Sequence, residues 1–169
     1  MKLLFEMDKK DYDPNGEAYI RPSVRAIIIQ NGKIAMVYSQ KYNYYKFPGG
    51  GMKQGENQEE TLIRETKEEV GLIIIPSSIC EYGYVHRIQK GEHEPIFIQD
   101  NYYYLCEVEL DVVSQTLDDY EIEEGFILKF VDPRVAIATN RDGEHGEQDF
   151  IMIEREALVL ERLIQDGYL

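Results

Sequence analysis

The sequence predicts an α/β fold of the α+β kind, in one domain over residues 1–169 with an N-terminal edge strand and loop at 1–22. Three observations predict it. Runs rich in Ile, Val, Tyr and Phe recur between turn signals and read as strands. Two segments, Asn57 to Val70 and Asp149 to Gln165, carry apolar residues at helical spacing. A length of 169 residues suits one domain with a sizeable core and is short for two.

Taken in order, Met1 to Met7 alternates weakly, as an edge strand does, and Lys9 to Glu17 carries Asp, Pro, Asn and Gly and reads as a loop. Val24 to Ile29 and Ile34 to Ser39 are strand-like and flank Asn31-Gly32, a pair suited to a tight hairpin because both residues tolerate positive φ. Tyr42 to Phe47 is aromatic and extended. Pro48 and Gly49, Gly50 and Gly51 then force a loop whose backbone can approach a ligand closely. The helix that follows starts at Asn57, its cap, with Glu60 in the capping-box position. Leu62, Ile63, Thr66 and Val70 form its apolar stripe, and Gly71 ends it.

Downstream, Leu72 to Ile75, Ile79 to Ile88, Ile96 to Leu110 and Phe126 to Val131 favour strands, and Gly91 to Pro95 reads as the turn of a long hairpin. Asp118 to Gly125 reads as an acidic loop or short turn. Pro133 opens a short helix through Ala138. The last helix, Asp149 to Gln165, places Phe150, Ile153, Ala157, Leu160 and Ile164 on its apolar side.

Chemistry concentrates between Gly50 and Leu72. Gly50, Glu56, Arg64-Glu65, Glu68-Glu69, Gly71 and Leu72 stand in one register, and Glu65, Glu68 and Glu69 share a helix face at i, i+3 and i+4. On an open surface such like-charge neighbours cost about 0.2–0.5 kcal/mol per pair, so the cluster calls for a cation. Carboxylate oxygens suit magnesium, calcium or manganese. The plain alternative is a solvated acidic face, common in a chain this acidic; the glycine-rich loop and the register favour a site.

The order Gly, five residues, Glu, seven residues, Arg-Glu, an apolar residue, any residue, Glu-Glu, any residue, Gly and an apolar residue is that of the Nudix box, and the chain resembles a Nudix hydrolase. Thr66 departs from it, standing where the family has a bulky apolar residue; its methyl can still face the core. Phe47-Pro48-Gly49-Gly50-Gly51 resembles the family's lead-in loop. The resemblance implies a Nudix-like α/β/α sandwich, a mixed sheet held between helices with the box helix packed on it. It also implies roles. Glu65, Glu68 and Glu69 are metal ligands, the Gly49 carbonyl is an extra oxygen, and Glu56 acts through water or from behind the ligands. Arg64 orients a catalytic carboxylate and on a helix faces Glu60 and Glu68; Glu65 is the first choice for base. A later acid joins them, taken as Glu124 from the run Glu121-Ile122-Glu123-Glu124.

The implied reaction is metal-dependent hydrolysis, with Mg²⁺ or Mn²⁺, of a diphosphate linkage in a nucleoside triphosphate or in a nucleoside diphosphate joined to another group. Water attacks phosphorus. The alternative is a non-catalytic Nudix-like module that binds a nucleotide as a regulator, although an intact carboxylate set favours catalysis. Neither the proline associated with ADP-ribose hydrolysis nor the tyrosine associated with dinucleoside polyphosphates stands at its customary offset past Leu72, and the upstream signature of coenzyme A cleavage is missing.

Composition narrows the partners. A net charge of -14 argues against duplex nucleic acid and anionic membranes, which reward clustered Lys and Arg, and leaves a small phosphorylated nucleotide-type substrate whose charge a metal offsets. With no signal-like or membrane-length apolar run, a cytoplasmic setting is expected. Cys80 and Cys106 read as buried free thiols. His86, His93 and His145 are dispersed and read as surface or strand residues. Tyr44, Tyr45, Tyr82, Tyr84 and Tyr102 to Tyr104 could stack on a nucleobase but read mostly as strand aromatics, and Arg25, Lys41, Lys46 and Arg87 read as surface charges. The long apolar strands and final helix offer a surface for a homodimer.

Overall fold

A computed structural model describes residues 1–169. In chain order the strands are β1 (Leu3–Asp8), β2 (Ala18–Ile20), β3 (Ser23–Ile27), β4 (Ile29–Gln30), β5 (Lys33–Ser39), β6 (Tyr44–Lys46), β7 (Leu72–Ile74), β8 (Cys80–Gln89), β9 (Ile96–Leu105), β10 (Val108–Val112) and β11 (Phe126–Val131). The helices are α1 (Gln58–Val70), α2 (Asp119–Glu124), α3 (Pro133–Asp142) and α4 (Phe150–Gln165). The central sheet is mixed. β8 and β9 form the long antiparallel hairpin, β1 adds in parallel to the outer edge of β8, and β2 and β3 share the other edge of β9 end to end, both parallel to it. Pro22, which has no N–H, marks the gap between β2 and β3. A second, antiparallel sheet carries β11, β5 and β4, with β6 also on β5, and β7 pairs with β10.

Strand periodicity divides the interior in two. Val24 and Ala26 of β3 and Ala35 and Val37 of β5 pack with Tyr44, Leu62 and Val70 beneath α1. Their alternating neighbours Ile27, Ile34 and Met36 pack with Phe47, Val85, Tyr103, Ala136, Val159, Leu160 and Leu163 beneath α3 and α4. Helices therefore cover both faces of the strands, the α/β/α arrangement expected. No helix is long and apolar enough to cross a membrane.

Several expectations shift. The hairpin at Asn31-Gly32, both at positive φ, joins only β4 to β5, because the chain changes sheets at Ile28 and β3 pairs with β9. The run Ile96 to Leu110 breaks at Cys106-Glu107, so that β10 leaves the central sheet for β7. Residues 118–125 hold the helix α2 where a loop was expected: Glu121 reaches back to accept the Asp118 N–H at 2.9 Å, and Gly125 stops the helix at φ 65°. Cys80 is exposed, while Cys106 is buried, which pushes its thiol up to about 12.

Candidate active site

Helix α1 begins as its sequence dictates. The Asn57 side chain accepts the Glu60 N–H at 2.9 Å and Glu60 accepts the Asn57 N–H at 3.0 Å, a complete capping box. Glu60 is thereby committed to the cap and makes no hydrogen bond or ion pair with Arg64, which the helical spacing had it facing. At the other end Gly71 takes the left-handed conformation at φ 69°. The helix's last carbonyls are met from the 113–116 segment: the Thr116 N–H donates to Glu68 O at 2.8 Å, and the Gln115 amide donates to Glu69 O. Both ends of the box helix are fixed.

Arg64 organises three of the four box carboxylates. Its fork meets Glu56 twice, at 2.6 and 2.7 Å, and its Nη1 donates to Glu65 at 2.6 Å and Glu68 at 3.0 Å. The Arg64 fork beside Glu56 holds that carboxyl down to about 2. Glu56 also accepts from the Thr61 hydroxyl at 2.9 Å and the Lys53 N–H at 3.1 Å, so both its oxygens are used. Glu65 and Glu68 differ. Each gives one oxygen to Arg64 and keeps the other free of any protein hydrogen bond.

The glycines are required by close approaches. A Cβ on Gly49, at φ 135°, would stand 2.1 Å from Val24 O, and one on Gly50 would stand 2.2 Å from Glu65 Oε2. The loop is thus pressed onto β3, where the Val24 and Ala26 N–H groups donate to Gly50 O and Pro48 O at 3.0 and 2.8 Å. The second glycine leaves room for the Glu65 carboxylate against the backbone.

Glu69 departs from the shared acidic face. It is 2% exposed, and both oxygens are engaged: one accepts from the Lys46 ammonium, the other from the Gly49 N–H at 2.8 Å. Burial pushes its carboxyl up, opposed by the charges of Lys46 and Arg25. The Gly49 carbonyl, expected as a metal ligand, accepts from Arg25 Nη1, which also reaches Phe47 O at 3.5 Å. Glu124 stands across the sheet at the end of α2, with one oxygen accepting from Tyr44 Oη at 2.8 Å and Ser39 Oγ at 3.1 Å. Burial, then Glu124, pushes the Tyr44 phenol up, with a further contribution from Glu69. Glu124 makes no hydrogen bond or ion pair with any residue of the box.

Three basic residues at the site went unrecognised by sequence reasoning. Lys46 and Arg25 read as surface charges and are buried. The available signal was period two: Lys46 alternates with Tyr45 and Phe47 and so shares the α1-facing side of β6 with Tyr44. Arg21 is the third. Its guanidinium, which makes no hydrogen bond or ion pair, lies beside Gly51, where an added Cβ would stand 2.9 Å from its Nε. Two partners of the loop's approach strand also carried no motif. The Asn140 amide bonds Tyr45 N and O at 2.8 and 2.9 Å, and Glu156 accepts the Phe47 N–H at 3.0 Å.

No three acidic, His or Cys side chains converge into a ready metal cage. The donor set nevertheless fits a hard divalent ion in kind: it is all oxygen, and Glu65 and Glu68, bridged by Arg64 Nη1, each keep an unclaimed carboxylate oxygen, that of Glu65 lying against Gly50. Glu56, expected among the metal-site residues, has both oxygens taken by Arg64, Thr61 and the Lys53 N–H. Glu69 would ligate only after giving up Lys46.

Comparison with known proteins follows the same lines. A family model described as the NUDIX domain matches residues 20–152. Two curated relatives, both named RNA pyrophosphohydrolase, come from Acinetobacter baylyi, 33% identical over 46% of this chain and 52% of the relative, and Photobacterium profundum, 32% identical over 57% and 60%. The matched region thus spans just over half the length of these relatives. Among solved structures, a NUDIX hydrolase from Nitrosomonas europaea superposes with a TM-score of 0.60 at 15% identity, covering 89% of each chain. A MutT protein from Bacillus halodurans gives 0.56 at 16% identity, covering 79% of this chain and 80% of its own. These two likenesses show the fold.

Proposed function

The chain belongs to the Nudix domain family, and from this premise we propose that it hydrolyses a diphosphate linkage in a nucleoside triphosphate, or in a nucleoside diphosphate joined to another group, with Mg²⁺ or Mn²⁺ as cofactor. The observation that carries this reading is the pair of unclaimed carboxylate oxygens on Glu65 and Glu68, held together by one arginine, with that of Glu65 against Gly50 of the loop. A sensor of nucleotides has no use for them. Glu65 and Glu68, joined by Glu69, would hold the ion. When bound, it supplies positive charge against the phosphoryl oxygens, where charge accumulates as water attacks phosphorus.

The chain's own residues do the rest. Arg64 fixes Glu65 through Oε1 and leaves Oε2 to accept the proton of the attacking water. Gly50 permits that placement. The free Arg21 guanidinium, next to Gly51, is poised for a substrate phosphate in a molecule where other guanidiniums are mostly committed to carboxylates or carbonyls. The names of the curated relatives, RNA pyrophosphohydrolase, extend the substrate candidates to RNA. A net charge of -14 offers no basic track for the body of an RNA, which favours the small nucleotide.

The test is release of phosphate or pyrophosphate from a panel of nucleotides and one 5′-triphosphorylated RNA in Mg²⁺, for wild type, Glu65→Gln and Glu68→Gln. We expect turnover of at least one nucleotide, with kcat reduced roughly a hundredfold or more in each variant, the scale on which charge stabilisation at a reacting centre operates. Nucleotide binding without turnover by wild type, or full activity in both variants, would overturn the reading in favour of a non-catalytic binding module.

A further inference from the structure

We propose that Lys46 is the resident counter-ion of Glu69, displaced when a divalent cation binds, and that the displaced ammonium then binds a phosphoryl oxygen of the substrate. The proposal rests on the metal-dependent reading above and assigns one residue two successive partners.

Two cations divide the four box acids in this structure. Arg64 serves Glu56, Glu65 and Glu68 with all three of its nitrogens, and Lys46 alone serves Glu69 among the side chains. The two are not equally held. Arg64 is locked by a bidentate fork, whereas Lys46 makes a single carboxylate contact from a flexible four-carbon stem. Lys46 is also the more exposed of its pair, at 10% against 2%. Its ammonium lies 4.5 Å from the centre of the Phe126 ring, a cation–π contact that sets no hydrogen-bond direction.

Direction follows from geometry. Lys46 shares the α1-facing side of β6 with Tyr44, which holds Glu124, and the residue after next is Pro48, where the glycine loop begins. An ammonium leaving Glu69 therefore stays on the strand face that carries Tyr44 and Glu124, one residue short of Phe47 and the glycine loop. A doubly charged ion offers the carboxylate more than Lys46 does, and a phosphate offers Lys46 a replacement for the carboxylate. The exchange moves ions only; no covalent bond forms or breaks. A purely structural buried pair would behave differently, because removing its lysine would strand Glu69 without improving the site for metal.

The opposed signs make the test. Mn²⁺ binding without nucleotide, read from the free-ion EPR signal at pH 8, is compared in wild type, Lys46→Met, Lys46→Gln and Glu69→Gln. Binding of a methylene-bridged nucleoside diphosphate analogue at saturating Mn²⁺ is then measured by calorimetry. Lys46→Gln keeps an N–H donor for Glu69 should Lys46→Met fail to fold. We expect the lysine variants to bind Mn²⁺ about fivefold more tightly and the analogue about tenfold more weakly, and Glu69→Gln to lose Mn²⁺ affinity. Unchanged or weaker Mn²⁺ binding by a folded Lys46 variant overturns the exchange, as does unchanged analogue binding. A wild type that binds no Mn²⁺ overturns the metal-dependent reading itself, and the exchange with it.

Discussion

Thr66 occupies the one box position at which this chain departs from its family, and the structure shows the cost. The residue is fully buried, as expected, but its hydroxyl has no hydrogen-bond partner. A threonine inside a helix ordinarily donates back to the preceding turn; here Oγ1 stays unpaired, an arrangement that costs about 1–3 kcal/mol. Thr66→Val removes the hydroxyl and preserves the shape. We expect it to stabilise the protein by about 1 kcal/mol in urea denaturation, with turnover unchanged. A loss of stability would mean that the hydroxyl has a partner in solution. Sequence reasoning foresaw the buried methyl but not the orphaned hydroxyl, since the missing partner is a matter of the surrounding helix and strands.

At the scale of elements, β6 is held on two sides by different means. Its inner edge pairs with β5. Its outer edge is met by side chains: Asn140 from α3 takes Tyr45 N and O and also donates to Ile153 O at 3.3 Å, while Glu156 from α4 takes the Phe47 N–H. Asn140→Ala would leave a buried N–H and two buried carbonyls without these partners. We expect a loss of about 2–4 kcal/mol in chemical denaturation, from 1–3 kcal/mol for each stranded group with partial relaxation. A loss under 1 kcal/mol would show that water replaces the amide. What could be read in advance divides along the same line. Helix α1, its cap, its stop and the Arg64–Glu68 pair are local in sequence and were legible from spacing, whereas the Arg64 fork on Glu56, eight residues away, was not. Glu69 was placed with the acids because the helical wheel knows nothing of Lys46 and Gly49, which arrive from some twenty residues away. α2 was missed because acidic composition suggested a solvated loop, although the Asp118 to Glu121 spacing carried the cap.

The whole molecule carries an excess of fourteen negative charges over 169 residues. Opposing that repulsion are exposed pairs such as Lys41 with Glu123 and Arg162 with Asp166, which solvent screens and which therefore contribute little each. Salt weakens both effects, and the long-range excess should dominate. We therefore expect the thermal midpoint to rise by about 2–5 °C between 20 and 200 mM NaCl without divalent ions, a shift of roughly 1 kcal/mol. A fall would assign the surface pairs the larger share. The side-chain closure of β6 also bears on how the molecule meets its neighbours. An uncovered strand edge is a template for another chain, and β6 leads straight into the glycine loop. Because Asn140 and Glu156 already occupy that edge, no second copy can extend the sheet there. The strand that carries Lys46 into the glycine loop is thereby closed to edge-to-edge pairing with another chain.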